Sequence, residues 1–247
     1  MIRAVIFDLG HTVWDYAPRE EVRRLTVLRV HERLRQTLGD DLLAPPDLDR
    51  SLGQAVARWF QSWNDRERLE QPPSDTLVRE VLRELGIESP DGVVDDVTEI
   101  IFGLELDMPV VEPDTLAALA TLHQRGLALG CVTNTILLEG GIVDLLQRLG
   151  LRRYFESAVA SSAMGYRKPH ASLFQRALDE LRVAPGEALF VGDRLVDDVS
   201  GAQGAGMRGV LTHQYRQEPL DGSTVRPDTV VRRLSEVPAL VERLAAG

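Results

Sequence analysis

Apolar residues in this chain fall into short continuous runs separated by stretches with a helical repeat, and that alternation predicts an α/β protein built on a doubly wound parallel sheet. The run Ala4-Val5-Ile6-Phe7 shows no polar alternation, as expected of a strand covered on both faces. It ends in Asp8-Leu9-Gly10, which reads as a turn and leaves Asp8 at the carboxyl end of the strand. Leu127 to Val132, Ala158 to Ala160, Ala188 to Val191 and Gly209 to Leu211 have the same character. Between them, Leu173, Phe174, Ala177, Leu178 and Leu181 repeat on one helix face, with the helix expected to start at Pro169. Ligands of such sheets bind beyond the carboxyl ends of the strands, so Asp8, Thr133 and Asp193 are expected to meet in one crevice.

Residues 16–107 break the alternation, with several helical patterns and no convincing strand. The clearest pattern is Leu77, Val78, Val81, Leu82 and Leu85, opened by Ser74-Asp75 and stopped by Gly86. The next core helix is expected near Pro113-Asp114. A chain of 247 residues exceeds the roughly 100–150 of a typical domain. The predicted organisation is an α/β core made of residues 1–15 and 108–247, with a helical cap at 16–107.

Composition narrows the classes of function. A formal charge of −10 argues against a nucleic-acid partner, because such binding draws on a positive surface. No apolar run reaches the ~20 residues that cross a bilayer, so no membrane partner is expected. The opening residues lack a signal-peptide pattern and Cys131 is the sole cysteine, which makes a cytoplasmic location the simplest expectation. Cys131 lies within an apolar run and reads as core. Monomer and homodimer are equally compatible with the pattern.

Among the 28 basic residues only Lys168 is a lysine. An ammonium is a compact point charge that fits among carboxylates where a forked guanidinium does not, so its retention at one place suggests a tight acidic site. Arg167 and Arg194, which flank the same motifs, read as surface or ion-pair residues, and Asp197 as a carboxylate that is either solvated or supports the site from behind its ligands.

Four short segments stand at strand ends: Asp8-Leu9-Gly10-His11-Thr12, Thr133-Asn134, Lys168-Pro169, and Gly192-Asp193-Arg194-Leu195-Val196-Asp197-Asp198. Together, and in this order, they resemble the haloacid dehalogenase-like hydrolase superfamily, and the block at 16–107 resembles the helical cap of many members. The resemblance implies a Rossmann-like core and a hydrolase, most simply a phosphatase that forms an aspartyl-phosphate on Asp8. It implies Asp8, Thr133, Asn134 and Lys168 as catalytic residues, with the last three also binding substrate. It further implies Mg²⁺ held by Asp8, Asp193, Asp198 and the main-chain carbonyl of Gly10, and a small phosphorylated metabolite as substrate. The chemistry fits, since a carboxylate attacks only where developing charge is met by cations.

The pattern departs at Gly10, where phosphatases of the superfamily usually carry a second aspartate that serves as acid and base. General acid–base catalysis contributes about 10²–10⁴-fold, so a substitute is expected, and His11 is the nearest candidate, with Asp15 another. The gap also admits a 2-haloacid dehalogenase, whose halide leaves without a proton, or a weakly catalytic protein that binds and senses a phosphorylated ligand. A phosphonate-cleaving relative would need a lysine in the cap, and there is none. Trp59, Trp63 and Arg66 are cap residues whose place relative to a substrate the pattern does not give.

Overall fold

The computed structural model describes residues 1–17, 20–39, 44–62, 68–88, 91–107, 109–137 and 140–246. The strands in chain order are β1 (Ala4–Phe7), β2 (Asp15–Tyr16), β3 (Pro109–Val110), β4 (Ala128–Thr133), β5 (Ser157–Ala160), β6 (Ala188–Gly192), β7 (Arg208–Thr212) and β8 (Thr229–Val231). The helices are α1 (Glu20–Leu38), α2 (Pro45–Ser62), α3 (Ser74–Glu84), α4 (Asp91–Asp107), α5 (Pro113–Gln124), α6 (Gly141–Arg148), α7 (Ser161–Met164), α8 (Ala171–Leu181), α9 (Gly201–Gly204) and α10 (Val237–Ala246).

Six strands form one sheet in the order β5-β4-β1-β6-β7-β8, and every pairing is parallel. The chain builds outward from β1 through β4 to β5, then returns to lay β6, β7 and β8 on the other side. That reversal opens a crevice beyond the end of β1, between β4 and β6, where a doubly wound sheet takes its ligand. Phe7 is in register with Cys131 on one side and Val191 on the other, so β1 is central and its four residues are fully buried. On one face, Leu173, Phe174, Ala177, Leu178 and Leu181 of α8 pack over Ala4, Ile6, Val132 and Phe190. The single-faced apolar repeat that predicted this helix is the face it buries.

The described residues divide into two compact units. One comprises Met1–Tyr16, Pro109–Thr135 and Glu139–Gly247, and the other Ala17–Met108 with Ile136–Leu138. The second unit is helical, with a core of its own that includes Val30, Leu34, Leu48, Leu77, Val81, Leu82 and Val94. No helix among the described residues is long and apolar enough to cross a membrane.

Several local expectations are corrected. Pro169 does not open α8; it lies in the preceding turn, closed by the His170 amide on the Arg167 carbonyl at 2.9 Å, and His170 is the N-cap, its Nδ1 accepting from the Ser172 amide. The Lys168–Pro169 peptide is cis. Ser74 is inside α3 rather than capping it, because its hydroxyl donates to the Ile136 carbonyl at 2.6 Å, and Pro73 holds the cap position. Strand β8 has no counterpart in the expected set, since Thr229-Val230-Val231 opens on a polar residue and buries only Val231. Tyr16 belongs to strand β2, paired antiparallel with β3, not to a helical segment. Trp63 and Arg66 lie outside the described residues, as does the side chain of Trp59.

Candidate active site

Every residue expected at the strand ends lies in the α/β unit. Asp8 follows β1 directly, and its amide donates to the Val191 carbonyl at 2.9 Å, which ties the residue to the end of β6. Thr133 closes β4 and is buried. Asp193 follows β6, and Asp198 sits on a π-helical turn, Leu195–Ser200, that leads into α9. Single π turns of this kind recur at functional sites, because the wider backbone re-aims a side chain.

Gly192 permits that arrangement. A Cβ added there would collide with the Asp198 carboxyl, so only glycine lets the π turn fold back over the end of β6. Asp8, Asp193 and Asp198 thereby offer carboxylate oxygens that all lie within 4.8 Å of one another, and all three residues are buried.

Lys168 joins them from the loop before α8. Its Nζ donates to Asp8 Oδ1 at 2.6 Å and to Asp198 Oδ1 at 2.7 Å, and it stands 5.5 Å from the centroid of the Phe190 ring. The solitary lysine thus bridges two buried carboxylates. Its backbone is clamped in turn: the Lys168 amide donates to Asn134 Oδ1 at 2.8 Å, and Asn134 Nδ2 donates weakly to the Lys168 carbonyl at 3.4 Å. The Asn134 side chain thus positions the lysine segment.

Two arginine contacts complete the picture. The Arg194 amide donates to Asp198 Oδ2 at 2.9 Å while its guanidinium pairs with Asp197 at 2.8 Å, so Asp197 is paired rather than simply solvated. Arg216, in the loop after β7, places Nη1 2.8 Å from Asp193 Oδ2 as an ion pair, without the alignment of a hydrogen bond, and this buried oxygen has no hydrogen-bond partner. Arg216 was invisible in the sequence, being one arginine among many in a polar loop. Arg167, read as a surface or ion-pair residue, is buried, so the surface half of that reading falls.

The electrostatics follow from crowding three carboxylates against one ammonium and one half-exposed guanidinium. Burial pushes the Asp8 carboxyl above its ordinary range, with Lys168 pulling it back and Asp198 adding to the rise. Asp193 is pushed up to about 8, first by burial and then by the charges of Asp8 and Asp198, against the pull of Arg216 and Lys168. Burial works against the Lys168 ammonium, but Asp198 and Asp8 together outweigh it and hold its pKa above the ordinary lysine value. Cys131, beneath the site in β4, is pushed up to about 12 by burial and then by Asp8, which fits the expected core role and not a nucleophile.

The cluster suits a divalent cation. It has an excess of negative charge, an aligned set of oxygen donors and a buried carboxylate oxygen without a hydrogen bond, which are the conditions a hard cation with oxygen ligands relieves. Asp198 already accepts one hydrogen bond on each oxygen, which leaves about two of its four acceptor positions.

Gly10 and His11 form the rim. His11 has a left-handed backbone, φ 58°, and its ring N–H at Nδ1 donates to Asp15 Oδ1 at 2.8 Å. Both side chains are more than a third exposed, at 36% and 46%, so this contact contributes little to stability.

Comparison with known proteins places this geometry among hydrolases. The family described as haloacid dehalogenase-like hydrolase matches residues 2–206. A glyceraldehyde 3-phosphate phosphatase of Methanopyrus kandleri is 30% identical over 99% of each chain. A phosphoglycolate phosphatase of Rhodospirillum rubrum is 31% identical, covering 89% of this chain and 83% of the relative. Among solved structures, a 2-haloacid dehalogenase from Pseudomonas syringae superposes with a TM-score of 0.69 at 25% identity, covering 99% of this chain and 100% of the other. A phosphatase from Thermococcus onnurineus superposes with a TM-score of 0.63 at 23% identity, covering 97% and 98%.

Proposed function

Because the chain belongs to the haloacid dehalogenase-like hydrolases, we propose that this hydrolase is a Mg²⁺-dependent phosphatase of small phosphomonoesters that works through an aspartyl-phosphate on Asp8. The observation that carries the reading is the buried constellation of Asp8, Lys168, Asp193 and Asp198. Asp8, Asp193, Asp198 and the Gly10 carbonyl would hold the ion, which when bound offsets their charge and polarises a phosphoryl oxygen. The names of the Methanopyrus kandleri and Rhodospirillum rubrum relatives support a phosphorylated two- or three-carbon metabolite as substrate.

Each residue of the chain then has a task. Asp8 attacks phosphorus and carries the phosphoryl group until water releases it. Lys168 orients Asp8 through the 2.6 Å hydrogen bond and neutralises charge gathering on the phosphoryl oxygens. Thr133, at the end of β4, and the Asn134 amide bind the transferring group, and the Asn134 side chain keeps Lys168 in register. His11 stands as the proposed substitute acid and base, its ring turned by Asp15 so that Nε2 is the nitrogen that acts.

A second reading, 2-haloacid dehalogenase, is favoured by Gly10, which offers no acid for a leaving alcohol. The metal-type acidic pair Asp193 and Asp198 favours the phosphatase. The discriminating experiment is a screen of phosphorylated two- and three-carbon metabolites with and without Mg²⁺, with a 2-haloacid in the same panel. Mg²⁺-dependent phosphate release is expected; halide release without phosphate release would replace the reading, and tight phosphate-ligand binding without turnover would make the protein a sensor.

A further inference from the structure

Residue 10 has no side chain, and the space above its Cα is filled by Tyr16. A Cβ built on Gly10 would lie 2.7 Å from Tyr16 Oη, 3.0 Å from Cε2 and 3.3 Å from Cζ. The phenol oxygen therefore stands where a side chain at position 10 would begin, two residues along the chain from Asp8. Gly10 and Tyr16 exclude each other's larger neighbours, so the glycine is not an empty place but half of a fitted pair.

Local structure fixes the ring there. The Leu9 carbonyl accepts from the amides of Thr12, Val13 and Trp14 at 3.2, 2.8 and 3.2 Å, and the His11 amide donates to the Trp14 carbonyl at 2.7 Å, which turns the chain back on itself. Strand β2 then pairs with β3, with Tyr16 in register with Pro109. Asp15 Oδ1 accepts from both the Tyr16 amide, at 2.9 Å, and the His11 ring. The His11 ring meets the Tyr16 ring edge-on, 5.4 Å between centroids at 73°. Backbone, strand pairing and ring contact all hold the phenol in one place.

Resting on the reading of Asp8 as nucleophile, we infer that the Tyr16 hydroxyl is the hydrogen-bond donor to the leaving-group oxygen of the substrate. Lys168, the cation hydrogen-bonded to Asp8, is buried, whereas Gly10 and Tyr16 are half-exposed. A leaving group departs toward solvent, so its donor must come from that rim. As Asp8 forms its bond to phosphorus, the phosphorus–oxygen bond to the leaving group breaks and the electron pair stays on the departing oxygen. The neutral phenol O–H meets that charge as it develops, without itself giving up the proton. The departing oxygen takes its proton from His11 Nε2, the acid proposed above; water then adds to phosphorus, returns a proton to His11 and frees Asp8.

The test is Tyr16→Phe, which keeps the ring and removes only the hydroxyl, measured as kcat/KM with Mg²⁺ on nitrophenyl phosphate, phenyl phosphate and an alkyl phosphate. The expected loss grows as the leaving group worsens, from less than about threefold on nitrophenyl phosphate to about 10²-fold on the alkyl ester, the size of one lost oxyanion donor. A uniform loss, or none, overturns the donor role. A second arm tests the fitted pair by melting temperature. Gly10→Ala should lower it in the parent chain and have little effect in a Tyr16→Ala background; an equal penalty in both overturns the geometry. If the parent chain turns over no phosphomonoester, the phosphatase reading falls and takes the donor with it, whereas parent turnover with a flat Tyr16→Phe profile removes the donor alone.

Discussion

Lys168 shows how much one side chain decides. Its ammonium reaches two carboxylates that the fold brings together from β1 and the π turn, and burial makes that bridge hard to replace. Lys168→Arg keeps the charge but must place a planar fork in space shaped for a point charge. The expected outcome is a drop in kcat of at least about 10²-fold, the lower range for losing one preorganised cationic or donor contact, with the protein still folded by circular dichroism. Parent rates in that variant would show that a compact ammonium is not required. Lys168→Ala is the harsher change, since leaving Asp8 and Asp198 buried without their cation costs about 3–5 kcal/mol.

The same site was partly legible from sequence, and the reason lies in how each residue is positioned. Asp8, Thr133 and Asp193 are set by strand ends, which apolar runs reveal, and Lys168 stood out by being alone. Tyr16 and Arg216 escaped notice because a two-residue strand brings in the one and a loop the other. Nothing in an arginine 23 residues after Asp193, or in a tyrosine six residues after Gly10, marks a contact with either. The side-chain role of Asn134 escaped for a related reason: a hydrogen bond across 34 residues has no local pattern.

At the scale of elements, the β6 end and the π turn form a unit whose tolerance is set by Gly192. Gly192→Ala drives a methyl group into the Asp198 carboxyl, so either the turn unwinds or the carboxylate swings away from Lys168. The expected cost is about 1–3 kcal/mol of stability, as for other overpacked sites, together with loss of activity. Denaturant titration and steady-state assays check both. A variant that matched the parent in both would mean that the turn has more room than its geometry indicates. Helix α8 was readable because burying one face imposes a period, and strands β1, β4 and β6 because burial on both faces leaves a continuous apolar run. β2, β3 and β8 were not, because strands of two or three residues are made by their partners and not by their own sequence.

For the whole molecule, the acidic cluster links folding to pH and to metal. Asp193 has a folded pKa of about 8, above the ordinary carboxyl value, so the native state holds a proton that the unfolded chain has released. Its contribution is fully present below the unfolded pKa and is lost as pH rises through the folded one. The metal-free protein should therefore melt at progressively lower temperature between about pH 4 and 8 on account of this group. On the proposed reading a divalent cation would bind the deprotonated cluster, so added Mg²⁺ should raise the melting temperature most at the alkaline end. Thermal scans across pH with Mg²⁺ or with a chelator give the comparison; a Mg²⁺ effect that is absent, or largest at low pH, would contradict it.

The central claim is that Asp8 carries the phosphoryl group, and acid quenching of the Mg²⁺-loaded enzyme during turnover, followed by peptide mass spectrometry, tests it most directly. A phosphoryl mass increment is predicted on the peptide containing Asp8, removable by hydroxylamine and absent in Asp8→Asn. An increment on another residue, or steady phosphate release with Asp8 never modified, would contradict it.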